Sequence, residues 1–286
     1  MSLLPDLYES LCQQTERDFI WLIVDDGSVD DTESLVGKWI NDNRIEIKYY
    51  KQKNQGKHIA HNKGIELCET ELFFCVDSDD RLPKDAIGII KQLYYEEHNN
   101  DVLGFYLRKG GFDGKPTGEN WPVDVKYTAL NDLYQKYGYI GEAAIILKTE
   151  LIKNYTFPQF RNEKFVRESV FYDQISGIAP MRIENKVCYL YKYRDDGYSA
   201  QGIKLDFNNP VGTGYSYLHH INYTCNIIEK CKLMGLFYGW TGLTKANDPL
   251  YKTISIPTYV KACGRLLKTH YLKLFMAHRE ALINEV

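Results

Sequence analysis

No run of about 18 consecutive apolar residues occurs in the chain, so the sequence offers no membrane-spanning helix. Its first residues also lack the charged-then-apolar order of a secretory leader. The seven cysteines, at 12, 68, 75, 188, 225, 231 and 263, are odd in number, scattered and never spaced as CxxC. That usage indicates reduced thiols in a cytoplasmic setting. None of the seven histidines falls into a ligand-like spacing. No basic block stands out and the formal net charge is -3, which leaves a nucleic-acid partner without an electrostatic footprint. What is present is an ordinary globular composition: 286 residues, 44% of them apolar, enough for one large or two modest domains.

Over the first hundred residues helical and strand-like patterns take turns. Leu4, Leu7, Tyr8 and Leu11 recur at helical spacing with Pro5 near the start, predicting a short amphipathic helix that closes around Gln14. FIWLIV (19–24) reads as a buried strand ending in Asp25-Asp26-Gly27-Ser28. Ser28-x-x-Asp31 resembles a capping box opening a helix through Leu35, Val36 and Trp39, with Asp30 and Asp31 read as capping residues. Strands follow at 45–50 and 72–76, and helices at 56–68 and from Pro83 to about His98. Strand, helix, strand, helix, strand predicts an α/β fold with a mostly parallel, doubly wound sheet.

FFCVDSDDRLP (73–83) places Asp77, Asp79 and Asp80 within four positions directly after a buried strand. One acid suffices to cap a turn or helix. Three in a cluster repel one another unless a cation relieves them. In open α/β sheets ligands bind outside the carboxyl ends of the strands, and both acidic clusters, 25–26 and 77–80, fall there. Hard oxygen donors suit Mg²⁺ or Mn²⁺, usually held by one or two carboxylates together with substrate phosphates.

WLIVDDGSVDDT (21–32) followed by NQGKHIAHNKGIELCETELFFCVDSDDRLP (54–83) resembles the nucleotide-binding half of the family 2 glycosyltransferases, and the likeness extends over roughly residues 4–200. It implies a Rossmann-like GT-A fold with helices on both faces. The implied activity is metal-assisted, inverting transfer of a sugar from a nucleoside diphosphate sugar, a UDP-sugar in the first instance, to a glycan or lipid-linked acceptor of polysaccharide biosynthesis. Carried over by the resemblance, Asp25 and Asp26 lie at the base and ribose. Asp77 and Asp79 form the DxD element, Asp79 ligating the metal and Asp77 lying nearer the ribose. Lys57, His61 and Asn62 approach the diphosphate, unless they are an exposed helix face. An acceptor hydroxyl must lose its proton as it attacks, so a general base is needed. Within NEKFVRESVFYDQIS (162–176), Glu168 matches the family's acidic residue, although Ser169 stands where a second acid is usual; Glu163 is the fallback. The family's first strand, which ends in a Thr-Tyr-Asn-like turn, has no counterpart before Leu4, and Met1-Ser2-Leu3 reads as a leader of other origin.

The resemblance divides the chain into a nucleotide-sugar half (1–103), an acceptor and catalytic half (104–200) and a helical extension (201–286). KGGFDGKPTGENWP (109–122) reads as a long loop that could cover the acceptor, with Trp121 either stacking on a sugar or packing. Tyr189, Tyr191 and Tyr193 alternate along a strand with one aromatic face. DFNNPVGTGYSY (206–217) reads as a connection, followed by helices at about 214–235 and 256–283. The last pairs apolar residues with Lys and Arg, which allows peripheral membrane contact. Two other classes stay open. A non-catalytic sugar-nucleotide or glycan binding protein would bind with metal and not turn over. A receiver-like signalling domain is suggested by IVDDGS and by Asp79-x-x-Leu82-Pro83, and would accept phosphate at Asp79; a helix before the acidic strand, and no Lys-Pro where a fifth strand should end, argue against it. Dehalogenase-type phosphatases share DxD, but Asp80-Arg81 fits them poorly.

Overall fold

A computed structural model describes residues 3–97, 101–118, 121, 124–194 and 197–284. Met1, Ser2, His98 and loop positions 119, 120 and 122 lie outside the described residues. In chain order the elements are α1 (Leu4–Cys12), β1 (Ile20–Asp25), α2 (Thr32–Asp42), β2 (Glu46–Lys51), α3 (Lys57–Leu67), β3 (Leu72–Phe74), α4 (Ala86–Glu96) and β4 (Gly104–Gly110). β5 (Tyr127–Thr128), α5 (Asp132–Gln135), β6 (Ala143–Lys148), α6 (Thr149–Ile152), α7 (Ser169–Ile175) and β7 (Met181–Leu190) follow. The chain closes with α8 (Tyr198–Asn208), α9 (Pro210–His220), α10 (Ile227–Thr244), a 3₁₀ turn (Pro249–Lys252) and α11 (Thr258–Asn284).

Packing groups these elements into two units. The first comprises Met1–Asn54, Ala60–Thr156 and Ile175–Tyr193; the second comprises Gln55–Ile59, Phe157–Gln174 and Arg194–Val286. In the first unit, the 3.6-residue spacing of Leu7, Tyr8 and Leu11 puts all three on the buried face of α1. Tyr8 stacks on Trp39 of α2 at 4.2 Å and on Trp21 of β1 at 6.0 Å between ring centroids. Such pairs add about 0.5–1.5 kcal/mol beyond area burial, and here they tie three elements together.

β1 and β2 form a parallel pair in register from Ile20 opposite Glu46 to Asp25 opposite Lys51. A five-stranded sheet has the order β3-β6-β4-β7-β5. β4 is parallel to β7, whereas β6 is antiparallel to both β3 and β4, and β5 is antiparallel to β7. The α/β architecture with helices stands, but the sheet is mixed where a mostly parallel one is expected. The reason is β6, AAIILK, which inserts between β3 and β4 in the reverse direction and lies in a region where sequence reading assigned no strand.

Further corrections concern local signals. Ser28 does not open α2: its N–H is held by Asp25, and the helix starts at Thr32. Asp30 accepts from the Thr32 N–H and hydroxyl, while Asp31 makes no side-chain cap. Trp121 is 2% exposed and meets Tyr106 and Tyr139 edge to face, which is the packing role. The expected connection at 206–217 is instead helical. α8 kinks at Gly202 (φ 47°), and Pro210 starts α9 at a position where the missing N–H costs nothing. The helix expected over 214–235 is two helices, α9 ending at His220 and α10 capped by Asn226, whose side chain accepts from Ile228 and Glu229 N–H. All seven cysteines are free thiols. Among the described residues no helix is long and apolar enough to cross a membrane.

Candidate active site

The first acidic turn follows β1. Gly27 sits at φ +83°, and a Cβ there would lie 2.7 Å from the Asn54 nitrogen, so the turn accepts only glycine. Asp25, buried, accepts from the Ser28 N–H at 2.7 Å and from the Tyr49 hydroxyl on neighbouring β2. Burial opposes its charge, but the Tyr49 and Ser28 hydrogen bonds outweigh that and hold its carboxyl below the usual range. Asp26, half-buried, accepts from Gln52 Nε2 at 2.8 Å. Parallel register explains both contacts, because it sets the end of β2 beside the end of β1.

The second acidic turn follows β3. Asp80 is 7% exposed and accepts from the Tyr189 hydroxyl at 2.6 Å. That same hydroxyl oxygen accepts the Asp77 N–H at 3.0 Å. Reciprocal backbone bonds between Arg81 and Leu190 clamp the next residue to the end of β7. Burial, reinforced by the charges of Asp77 and Asp79 and opposed by the Tyr189 hydrogen bond, pushes the Asp80 carboxyl up to about 6. Asp77 and Asp79 remain half-exposed. The two strands that lead into these turns pack on a common element, since a Cβ at Gly64 of α3 would lie 3.4 Å from Phe73 of β3 and 4.0 Å from Val24 of β1. His61, one turn earlier on α3, sets its ring edge-on to Phe73 at 5.2 Å, and Asn62 beside it is half-buried.

The second unit holds the other candidates. Gly56, at φ +96°, runs so close to the Lys164 carbonyl that a Cβ would overlap it at 2.0 Å. This contact sets the start of α3, where Lys57 Nζ meets Glu168 Oε1 at 2.9 Å across 111 positions of sequence. Both side chains are substantially exposed, 39% and 59%. Glu163 is differently placed: its two carboxylate oxygens accept from the N–H groups of Val211 and Gly212, both at 2.7 Å, at the start of α9. That is a helix-terminus cap, so Glu168 keeps the candidacy as base.

Among the described residues no three His, Cys, Asp or Glu side chains gather as a ready metal cage. Two half-exposed carboxylates fit a hard divalent ion whose remaining positions are completed by phosphate oxygens and water, the usual arrangement for Mg²⁺. They do not fit a preformed all-protein site. Sequence reasoning passed over Tyr49, Gln52 and Tyr189 as parts of the site. Only Tyr189 carried a signal, its place on an alternating aromatic strand, and that pattern says nothing about which group its hydroxyl meets.

Acidic turns at the carboxyl ends of the strands of an α/β core stand where open α/β folds bind their ligands. The family model for Glycosyl transferase family 2 matches residues 2–155, and the chain belongs to that family. An uncharacterized glycosyltransferase of Rickettsia felis is 41% identical over 95 residues, covering 33% of this chain and 15% of the relative. The chain thus matches only a small part of that relative's length. Glycosyltransferase GlyG of Streptococcus pneumoniae is 27% identical over 245 residues, covering 82% of this chain and 77% of the relative. Among solved structures, S. aureus TarS 1–349 in complex with UDP-GlcNAc is similar with a TM-score of 0.60 and 16% identity, covering 97% of this chain and 88% of that one. The similarity in structure shows a shared fold.

Proposed function

We propose that the chain is a glycosyltransferase that moves a sugar from a nucleoside diphosphate sugar, a UDP-sugar in the first instance, to a glycan or lipid-linked acceptor with inversion. One observation carries this reading: Asp77 and Asp79 stay half-exposed while a buried neighbour, Asp80, and a distant tyrosine, Tyr189, fix the turn that presents them. The UDP-GlcNAc bound by the similar S. aureus enzyme supports a nucleotide-sugar donor.

In this reading Asp25 and Asp26 line the nucleoside side, and Asp77 reaches the ribose and shares Mg²⁺ or Mn²⁺ with Asp79. A divalent ion held there supplies stabilisation of the charge left on the diphosphate. His61 and Asn62 stand near the diphosphate. Glu168 takes the acceptor proton, and Lys57, paired to it, holds its carboxylate in place. A cytoplasmic location goes with this reading, and the exposed Leu266 on the basic helical segment 256–283 would allow peripheral membrane contact. Calorimetric titration with a panel of nucleoside diphosphates, with and without Mn²⁺, tests the donor site; binding of a uridine diphosphate that strengthens with metal is expected, and no binding by any of them overturns it. Glu168→Gln should lower transfer by about 10²- to 10⁴-fold while leaving donor binding intact, and near wild-type turnover would remove Glu168 from the role.

A further inference from the structure

A cavity of about 580 Å³ lies wholly within the second unit, far along the chain from the acidic turns. Its walls come from three separate segments: Lys204 and Phe207 of α8, Leu243 at the end of α10, and Arg279 and Leu282 near the end of α11. The size falls within the range of small-molecule sites, about 300–1,000 Å³. Its apolar side is firmly built. Phe207 packs on Trp240 at 4.9 Å, Trp240 packs on Phe275 at 5.1 Å, and the Trp240 indole N–H donates to the Pro210 carbonyl at 2.8 Å.

The charged side is unbalanced. Neither Lys204 nor Arg279 forms an ion pair among the described residues. The acid close to Lys204 in sequence, Asp206, is taken by Arg167 at 2.6 Å and by the Thr213 hydroxyl at 3.1 Å. Glu280 lines a smaller adjoining hollow with Leu243, Met276 and Arg279. Among the described residues, two cations therefore border an aromatic and aliphatic wall with no acid lining the cavity.

We infer that this cavity binds an amphipathic anion, an aliphatic chain ending in a phosphate, with Lys204 and Arg279 on the phosphate and Phe207, Leu243 and Leu282 along the chain. A bare phosphate would leave the apolar wall in water, and a neutral chain would leave the cations uncompensated. Arg279 and Leu282 belong to the segment 256–283 to which the proposed function gives membrane contact, so the site rests on that part of the reading and not on the sugar-transfer chemistry.

Calorimetry on the full chain with dodecyl phosphate, below its critical micelle concentration, tests this. Saturable one-to-one binding is expected, weakening as salt rises. Inorganic phosphate and dodecyl maltoside should each bind at least about tenfold more weakly, as should dodecyl phosphate to the Lys204→Glu/Arg279→Glu variant. Lys204→Arg/Arg279→Lys should restore affinity, and unchanged melting temperatures show that the exposed substitutions leave the fold intact. Pelleting with phosphatidylcholine vesicles, with and without phosphatidate, separates the sources. Phosphatidate-dependent pelleting lost in the charge-reversed variant identifies a lipid headgroup, whereas loss of dodecyl phosphate binding alone identifies a free amphiphile. Wild-type affinity in the charge-reversed variant, or equal binding of inorganic phosphate or maltoside, overturns the inference.

Discussion

The two acidic turns look alike as sequence and are held in opposite ways. Asp25 and Asp26 are fixed by near neighbours: their own turn through Ser28, Tyr49 of β2, and Gln52 directly after it. The turn at 77–80 is fixed from 109 positions away, by Tyr189 on β7. The electrostatics differ accordingly. Donors surround Asp25 and keep it ionised more readily than usual, whereas Asp80 is buried beside two like charges and gives up its proton less readily. An acid placed in a turn thus acquires its character from what the fold brings against it.

That contrast can be tested in order of expected effect. Asp79→Asn should reduce transfer by about 10²-fold or more in a steady-state assay, with little change in melting temperature, because the side chain is half-exposed and presented rather than packed. The same loss from every acid of both turns would erase the distinction drawn here. Tyr189→Phe should cost about 1–3 kcal/mol in urea unfolding, since it strips the buried Asp80 carboxyl of its hydroxyl donor and the Asp77 N–H of its acceptor.

Tyr49→Phe should cost less, about 1 kcal/mol, because Asp25 keeps the Ser28 N–H. Its pH dependence has a definite sign. The folded-state pKa of Asp25 lies below its ordinary value of 3.8, so its contribution is present above that pH and is lost as pH falls through the folded value. The stability gap between wild type and Tyr49→Phe should therefore be full at neutral pH and close in acid; a gap that widened in acid would contradict the assignment. The smallest effect belongs to Asp6→Asn, which removes the exposed partner of Arg81 beside the second turn and should cost under about 0.5 kcal/mol by thermal melting.

Much of the first hundred residues was legible because their signals are local. Helical spacing gave α1, and apolar runs gave β1 and β3. Beyond residue 200 the same rules misread α8 and α9. Asn, Pro and Gly suggested a connection, yet Asn209 is buried with its side-chain oxygen accepting the Lys164 N–H and its amide donating to the Leu205 carbonyl. Tertiary partners satisfied the polar groups that local reasoning assigned to a loop.

The order of residues alone determined where carboxylates would crowd and that each cluster would follow a strand, because strand and turn propensities act over a few neighbouring positions. Only the folded molecule decided that Tyr189 would brace one cluster, that Lys57 would reach Glu168, and that Glu163 would cap α9. Each of those contacts joins residues some fifty or more than a hundred positions apart. Contacts at such range are set by how strands and helices pack, which no short window of sequence contains.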